Sequence, residues 1–166
     1  MLDRLNATPA DELAAQLGNC CAARSWIDAI VDGRPYADLN ALGAASDEAT
    51  AGLDATGLDE ALAGHPRIGE QVGDGTWSRQ EQSRLFDRAG ADADVRAQLA
   101  AANTAYEQRF GHVYLVCATG KSADELLAIC RARLDHDPAV ERGVVLGELT
   151  RINRLRLAKL LPAEAG

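Results

Sequence analysis

Apolar residues recur every three or four positions along most of the 166-residue chain. This is the period of a helix that buries one face. The pattern is longest near the end of the chain, where it predicts a helix from about Pro138 to Leu161. The apolar positions of this helix are Val144, Val145, Leu149, Ile152, Leu155, Leu157 and Leu160. A second long helix is predicted from Asp92 to Phe110.

Further helix starts are predicted from residues that cap helices. These capping residues are Thr8, Ser46, Ser78 and Ser122. At the first start, Pro9 suits the opening turn, and the apolar pattern then continues to Ile30. At the second, the helix is predicted to begin at Asp47. The last two starts have a Glu three residues after the Ser, which is the pattern of a capping box.

The run from Phe110 to Cys117 departs from this helical pattern. It is rich in β-branched and aromatic residues, shows no helical period, and has Gly111 near its start and Gly120 just after its end. We predict one short extended segment here, without a partner strand. Its backbone amides and carbonyls therefore need other partners, and a bound ligand is one source of them.

Composition supports a fold made only of helices. Ala dominates the apolar fraction and aromatic residues make up 4% of the chain, whereas a β-sandwich requires more β-branched and aromatic residues. We predict an all-α fold: one compact helical bundle that spans residues 1–166, with the extended segment lining the site. The net charge of −8 argues against nucleic acid and against an anionic membrane surface as partners.

The cysteines indicate a reducing compartment. The chain has four of them, without a C-x-x-C pair, and all lie in apolar surroundings, so we expect buried free thiols. The residues from Met1 to Arg4 lack the apolar region of a signal peptide, and no run of about 18 apolar residues could span a membrane. We therefore expect a cytoplasmic protein. The three His residues are dispersed, which makes a metal site unfavourable.

His65 is the side chain most suited to acid–base chemistry. A short helix predicted over Thr56–Ala63 leads into it, and Pro66 disfavours a helical backbone at the residue before it. A His at a helix end is often only hydrogen-bonded to the backbone. Glu81 changes this balance, because a carboxylate that folds back onto an imidazole orients it for proton transfer near neutral pH.

Three other polar side chains could serve a site. Ser78 begins a predicted helix whose free amides attract anions, and Gln82 can both donate to and accept from an amide or urea group. Arg156 lies between two leucines, which indicates a partly buried cation able to bind a carboxylate. The absence of G-x-S-x-G, of a P-loop and of G-x-G-x-x-G disfavours a Ser nucleophile and nucleotide chemistry.

Taken in order, these residues resemble the family of 2-oxo-4-hydroxy-4-carboxy-5-ureidoimidazoline (OHCU) decarboxylases, which complete the route from urate to (S)-allantoin. The resemblance runs nearly end to end. It includes Ser25-Trp26, Arg34-Pro35-Tyr36, His65-Pro66, Ser78-x-x-Glu81-Gln82, Asn103-x-x-Tyr106-x-x-x-Phe110-Gly111, the Arg133 to Glu141 spacing and Glu148-x-x-x-Ile152-x-x-x-Arg156-Leu157. The family usually has Phe-Gly-Phe-Pro-Phe where this chain has Phe110-Gly111-His112-Val113-Tyr114.

The resemblance implies a role for each matching residue. His65 is implied as the catalytic acid or base and Glu81 as its carboxylate partner. The residues implied to contact the substrate are Pro66, Ser78, Gln82, Val113, Tyr114, Leu115, Val116, Cys117 and Arg156. The family fold is an all-helical single domain, often a dimer, and its members need no cofactor.

Two other functions remain open from the sequence. An amidohydrolase or racemase acting on a related ureide would use similar residues. A helical interaction module without catalysis would explain the helices, but it leaves the cluster of His65, Glu81 and Gln82 and the extended run without a purpose.

Overall fold

The computed structural model describes residues 2–68 and 93–161. These residues form eight α-helices: α1 Leu2–Ala7, α2 Ala10–Leu17, α3 Arg24–Asp32, α4 Leu39–Ala51, α5 Ala55–Ala63, α6 Ala93–Phe110, α7 Ala123–Arg133 and α8 Pro138–Leu160. No strand occurs among them. The prediction of an all-α fold is confirmed. The predicted end of α6 at Phe110 and the predicted bounds of α8 are correct to within one residue, whereas the start of α6 predicted at Asp92 lies outside the described residues.

The described chain divides into two compact units. The first contains residues 2–64 and 149–161, and the second contains residues 65–68 and 93–148. The boundary at Leu149 falls within α8, so this helix contributes to both units. The prediction of one domain over residues 1–166 stays a prediction.

The core of the first unit surrounds Trp26, which is fully buried. Its indole Nε1 donates to the Ser46 carbonyl over 3.2 Å. The prediction that Ser46 caps a helix was wrong, because α4 begins at Leu39, seven residues before Ser46, and contains Ser46. Asp38 caps α4 instead, and its carboxylate accepts from the Ala41 amide over 2.8 Å. Asp and Ser cap helices equally well, so the choice between them depended on where the chain bends.

The first helix start was also misplaced. Thr8 does not cap α2: its hydroxyl donates to the Arg4 carbonyl over 2.7 Å, at the end of a helix that the apolar pattern did not predict. The residue before α2 is Pro9, which makes no side-chain cap. The pattern that continues to Ile30 is interrupted between α2 and α3, where Cys20 and Cys21 are buried outside any helix. Buried positions in a loop thus imitated a helical period.

The second unit packs α6 against α7. Its core cluster contains Ile68, Leu99, Ala102, Tyr106, Tyr114, Val116, Leu126, Leu127 and Cys130. The capping box predicted at the start of α7 is confirmed. Ser122 Oγ accepts from the Glu125 amide over 3.2 Å, and the Glu125 carboxylate accepts from the Ser122 amide over 2.7 Å. The capping box predicted at Ser78–Glu81 lies outside the described residues.

Candidate active site

His65 lies directly after α5, and only 8% of it is exposed. Gly64 ends the helix at a φ of −81°, so it is not needed for a left-handed turn. A Cβ on Gly64 would come within 3.3 Å of the Ala22 Cβ, and close packing therefore explains the glycine. His65 thus sits at a helix end, as predicted, and Pro66 continues the chain away from the helix.

Helix α6 fixes the chain just after His65. Asn103 donates its side-chain Nδ2 to the Ile68 carbonyl over 2.8 Å. One turn further along the same face, Glu107 accepts two hydrogen bonds of 2.6 Å from the Arg67 guanidinium. Two contacts therefore determine the path of this segment: one joins residues 35 positions apart in the sequence, and the other joins residues 40 positions apart.

The run after α6 has the character of an extended chain. Gly111 and Gly120 bound it with positive φ values of 78° and 80°. Tyr114 and Val116 contribute side chains to the core cluster of the second unit, whereas Leu115 is buried outside that cluster. This alternation has the two-residue period of a strand. The predicted short extended segment is confirmed.

Charged side chains satisfy part of the backbone of this run. Arg133 donates Nη1 to the Leu115 carbonyl over 2.8 Å. Glu148 accepts from the Cys117 amide over 2.8 Å, and the ammonium group of Lys121 donates to the Cys117 carbonyl over 2.6 Å. The backbone partners that the sequence could not supply are therefore side chains from α7, α8 and the turn between them and the run.

Other backbone groups of the run have no partner in the described part of the chain. These groups are the amide of Leu115 and both the amide and the carbonyl of Tyr114 and of Val116. Only 2% of Tyr114 and 3% of Val116 is exposed. Buried backbone groups are nearly always hydrogen-bonded, so these free groups are suited to a ligand with amide donors and acceptors.

Arg133 belongs to a buried network in the second unit. Its Nε and Nη2 donate to Glu141 Oε1 over 2.8 and 2.5 Å, and Nη2 also donates to the Tyr106 hydroxyl over 3.2 Å. The Tyr106 hydroxyl in turn donates to Glu141 Oε1. The exposed fractions of the Arg133 and Glu141 side chains are 4% and 1%. A buried ion pair of this kind is stable only when its remaining polar atoms are also satisfied.

The protonation of this network follows from its contacts. Burial alone would raise the pKa of the Glu141 carboxyl, but hydrogen bonds from Arg133 and Tyr106 and the charge of Arg133 lower the pKa below its ordinary value. Burial raises the pKa of Tyr106, and the hydrogen bond to Glu141 raises it further. Glu141 is therefore ionised near neutral pH, and the Tyr106 hydroxyl keeps its proton and donates it to the Glu141 carboxylate in a hydrogen bond.

His136 binds the second oxygen of the same carboxylate, with 2.8 Å between Nδ1 and Glu141 Oε2. The His136 side chain is 33% exposed. His112, the residue at the usual Phe position, packs its ring edge-on to Tyr106 and stacks against Phe110.

The remaining predicted site residues are not all described. Arg156 lies in the first unit with 4% of its surface exposed, and its Nη1 donates to the Cys20 carbonyl over 3.0 Å. Its predicted burial is confirmed, and its role toward a substrate stays a prediction. Ser78, Glu81 and Gln82 lie outside the described residues, so the pairing of His65 with Glu81 also stays a prediction.

Sequence reasoning missed the part that Arg133, Glu141 and Glu148 play around the extended run. A signal was present in α8. Glu141 and Glu148 follow the same helical spacing as the apolar residues Val145 and Leu149, and all four are buried. An acidic residue on the apolar stripe of a helix needs a buried partner, and this requirement would have indicated the network.

Within residues 2–68 and 93–161, no group of three or more His, Cys, Asp or Glu side chains is arranged to bind a metal ion. No helix there is long and apolar enough to cross a bilayer.

Comparison with known proteins gives one family. The family model described as OHCU decarboxylase matches residues 6–158. The 2-oxo-4-hydroxy-4-carboxy-5-ureidoimidazoline decarboxylase of Amia calva is 29% identical, over 98% of this chain and 95% of its own length. The uric acid degradation bifunctional protein TTL of Arabidopsis thaliana is 28% identical over 88% of this chain, which spans 46% of the plant protein.

A solved structure agrees with these relatives. The crystal structure of an OHCU decarboxylase in the presence of (S)-allantoin superimposes with a TM-score of 0.76 at 25% sequence identity. The superposition covers 87% of this chain and 96% of the crystallised one. With a family model matched over nearly the whole length, the same helical fold and the motifs of the sequence in their expected order, this chain belongs to the OHCU decarboxylase family.

Proposed function

We propose that this protein converts 2-oxo-4-hydroxy-4-carboxy-5-ureidoimidazoline into (S)-allantoin and CO2, the last step from urate to allantoin. One observation of the site carries the proposal: a buried His65 and a run with unpaired buried amide groups occur in the same unit. Ile68 and Val116 belong to one core cluster, which connects the segment after the histidine with the run. The names of the relatives and of the solved structure support the same reaction.

The chemistry matches these groups. The substrate carries its carboxylate on a carbon that also bears a hydroxyl and adjoins the ring carbon that bears the ureido group. Breaking the bond to the carboxylate releases CO2, and its electron pair is delocalised over the neighbouring C=N bond of the ring, whose nitrogen takes up a proton. The hydroxyl then loses its proton and becomes a carbonyl, while a proton reaches one face of the ureido-bearing carbon to give a single enantiomer. The protein therefore has to orient the substrate, stabilise developing negative charge and deliver a proton.

His65 supplies the proton in this proposal, and Glu81 orients the imidazole. The free amides and carbonyls of the run Val113–Cys117 bind the ring amide and the ureido group. Pro66, Ser78 and Gln82 line the substrate.

A coupled assay tests the reaction. Urate oxidase and hydroxyisourate hydrolase generate the substrate, and circular dichroism follows the appearance of optically active allantoin. We expect the wild-type protein to accelerate it and His65→Ala to abolish the acceleration. His112→Phe, which removes another histidine and restores the usual residue of the family, should retain activity. Decarboxylation by His65→Ala at close to the wild-type rate would contradict the assignment.

The same assay separates the alternatives. A racemase or amidohydrolase would consume racemic allantoin, whereas the proposed enzyme forms allantoin only as a product. An interaction module would leave the rate of the spontaneous reaction unchanged.

The proposal includes the form of the enzyme. We expect activity to survive dialysis against EDTA. The negative charge that remains after CO2 has left is delocalised by the substrate ring, so no cofactor is needed. Four buried free thiols suit the reducing cytoplasm. A homodimer would show, in analytical ultracentrifugation, twice the 17.6 kDa mass of the chain.

A further inference from the structure

The extended run is bound along one edge by charged side chains that lie deep in the second unit. Arg133 is the most buried of them, and it makes hydrogen bonds to three groups: the Leu115 carbonyl, the Glu141 carboxylate and the Tyr106 hydroxyl. Helix α7 brings it to the run from 18 positions away in the sequence.

The position of this contact determines which backbone groups stay available. In an extended chain, the amide and carbonyl of one residue point to the edge opposite those of the next residue. Leu115 and Cys117 share one edge, and Arg133 and Glu148 bind groups of both on that edge. Tyr114 and Val116 face the other edge, where their backbone groups have no partner in the described part of the chain.

We propose that Arg133 is a positioning residue of the active site: by binding the Leu115 carbonyl while Glu141 fixes its guanidinium, it presents the free backbone edge of Tyr114 and Val116 to the substrate. This inference rests on the proposed function, because the substrate is the ligand assigned to that edge. Arg133 itself does not touch the substrate.

The guanidinium is chemically suited to this task. It is planar and carries five N–H donors in a fixed arrangement, so it can bind the carboxylate and the carbonyl at the same time with little freedom to rotate. A lysine ammonium can replace the charge beside Glu141, but it is a compact group that cannot reproduce the same fork. Arg133→Lys thus separates the charge of residue 133 from its geometry.

The predicted effect is on substrate binding. We expect Arg133→Lys to raise KM about tenfold, the factor that corresponds to losing one hydrogen bond to a charged donor, and to leave kcat within about twofold. The free edge binds substrate and transition state alike, so its displacement should not slow the chemical step. An unchanged KM would overturn the proposal.

Tyr106→Phe is the matched control. It removes the hydroxyl that contacts Arg133 and Glu141 in the same buried network, but it leaves the donor to the Leu115 carbonyl in place. A lower Tm with an unchanged KM is expected for this variant. A rise in KM equal to that of Arg133→Lys would show that any loss of stability in the network has the same effect, and this would also overturn the proposal.

A second variant changes the residue that holds Arg133 in place and leaves Arg133 itself unchanged. Glu141→Gln keeps Arg133 but removes the charge that fixes it, and it should raise KM about threefold, a smaller loss because the donor to the Leu115 carbonyl remains. If Arg133→Lys does not fold, Glu141→Gln with an unchanged KM overturns the inference.

One readout does not depend on the reaction. Amide hydrogen exchange should be faster at Cys117, whose amide donates to Glu148 on the same edge, in Arg133→Lys than in Tyr106→Phe, because the run is no longer fixed on that edge. Equal exchange rates in the two variants would overturn the positioning role. Failure of the wild-type protein to form allantoin would instead overturn the proposed function, while the exchange result would still decide whether Arg133 fixes the run.

Discussion

Asn103 donates its side-chain amide to the carbonyl of Ile68, 2.8 Å away, and so connects helix α6 to the chain three residues after His65. Only 3% of Asn103 is exposed. We predict that Asn103→Ala lowers the free energy of unfolding by about 1–3 kcal/mol, since the carbonyl of Ile68 loses its donor inside the protein. It should also lower kcat, because His65 would be less well placed.

The neighbouring residue provides the control for this prediction. Thr104 is exposed on the same helix, and its hydroxyl donates only to the Ala100 carbonyl one turn before it. Thr104→Ala should change the free energy of unfolding by less than about 0.5 kcal/mol, as is usual for surface positions. Urea denaturation followed by circular dichroism measures both variants, and equal losses would contradict the role given to Asn103.

The Glu141 carboxylate should make stability depend on pH in the acidic range. Its pKa in the folded protein lies below its ordinary value of 4.5, so the unfolded chain binds more protons there. The stabilisation is complete above pH 4.5 and is lost as the pH falls through the lower pKa of the folded state. Below pH 4.5 the free energy of unfolding should therefore decrease more steeply in the wild-type protein than in a variant without this carboxylate.

Glu141→Gln isolates this contribution. At pH 7 the variant leaves a buried Arg133 without its ion pair, which should cost about 3–5 kcal/mol. The difference in unfolding free energy between wild type and variant should become smaller as the pH falls below 4.5. Urea denaturation at several pH values measures it, and a difference that stays constant down to pH 3 would contradict the assignment.

Two glycines with open space around them should respond to alanine in opposite ways. Gly111 has a φ of 78° and Gly143 lies within α8, and no atom comes within 4 Å of a Cβ built on either. Gly111→Ala should cost about 1–2 kcal/mol, because a side chain disfavours the left-handed backbone. Gly143→Ala should raise the free energy of unfolding by about 0.5–1 kcal/mol, because alanine restricts the unfolded chain and favours the helix. Thermal unfolding of the pair tests whether backbone conformation alone decides.

The four cysteines should be unreactive in the folded protein. All are buried and free, and burial raises the pKa of the Cys20 thiol to about 12 and that of Cys130 to about 11. The reactive thiolate is therefore scarce at pH 8, and reagents reach it only after the chain opens. Ellman's reagent should detect no fast-reacting thiol in the native protein and four in denaturant. A fast-reacting thiol in the native state would contradict this burial.

Local sequence signals predicted the long helices and the capping box of Ser122 correctly, because each depends on residues within one or two turns. They failed at Ser46, because Asp38 caps α4 instead, and at Thr8, because its hydroxyl donates to the end of the preceding helix α1. The extended run was predicted from its β-branched residues and its flanking glycines. Local chemistry therefore determined where this run begins and ends.

The partners of the run could not be predicted in the same way. The Leu115 carbonyl is bound by a residue 18 positions away, and the Cys117 amide by one 31 positions away. Such contacts depend on how α7 and α8 pack, which no local period records. The buried acids of α8 were the one signal of them, since an ionised group on an apolar face requires a partner.

The alternation of the run also limits how this loop can vary in length. Moving the chain by one residue exchanges the two edges. The Leu115 carbonyl would then point away from Arg133, and the free groups of Tyr114 and Val116 would point away from the ligand. An insertion of one residue between Gly111 and Leu115 would therefore be more damaging than an insertion of two. The number of residues in this segment has to keep its parity, and natural variation in its length should occur in steps of two.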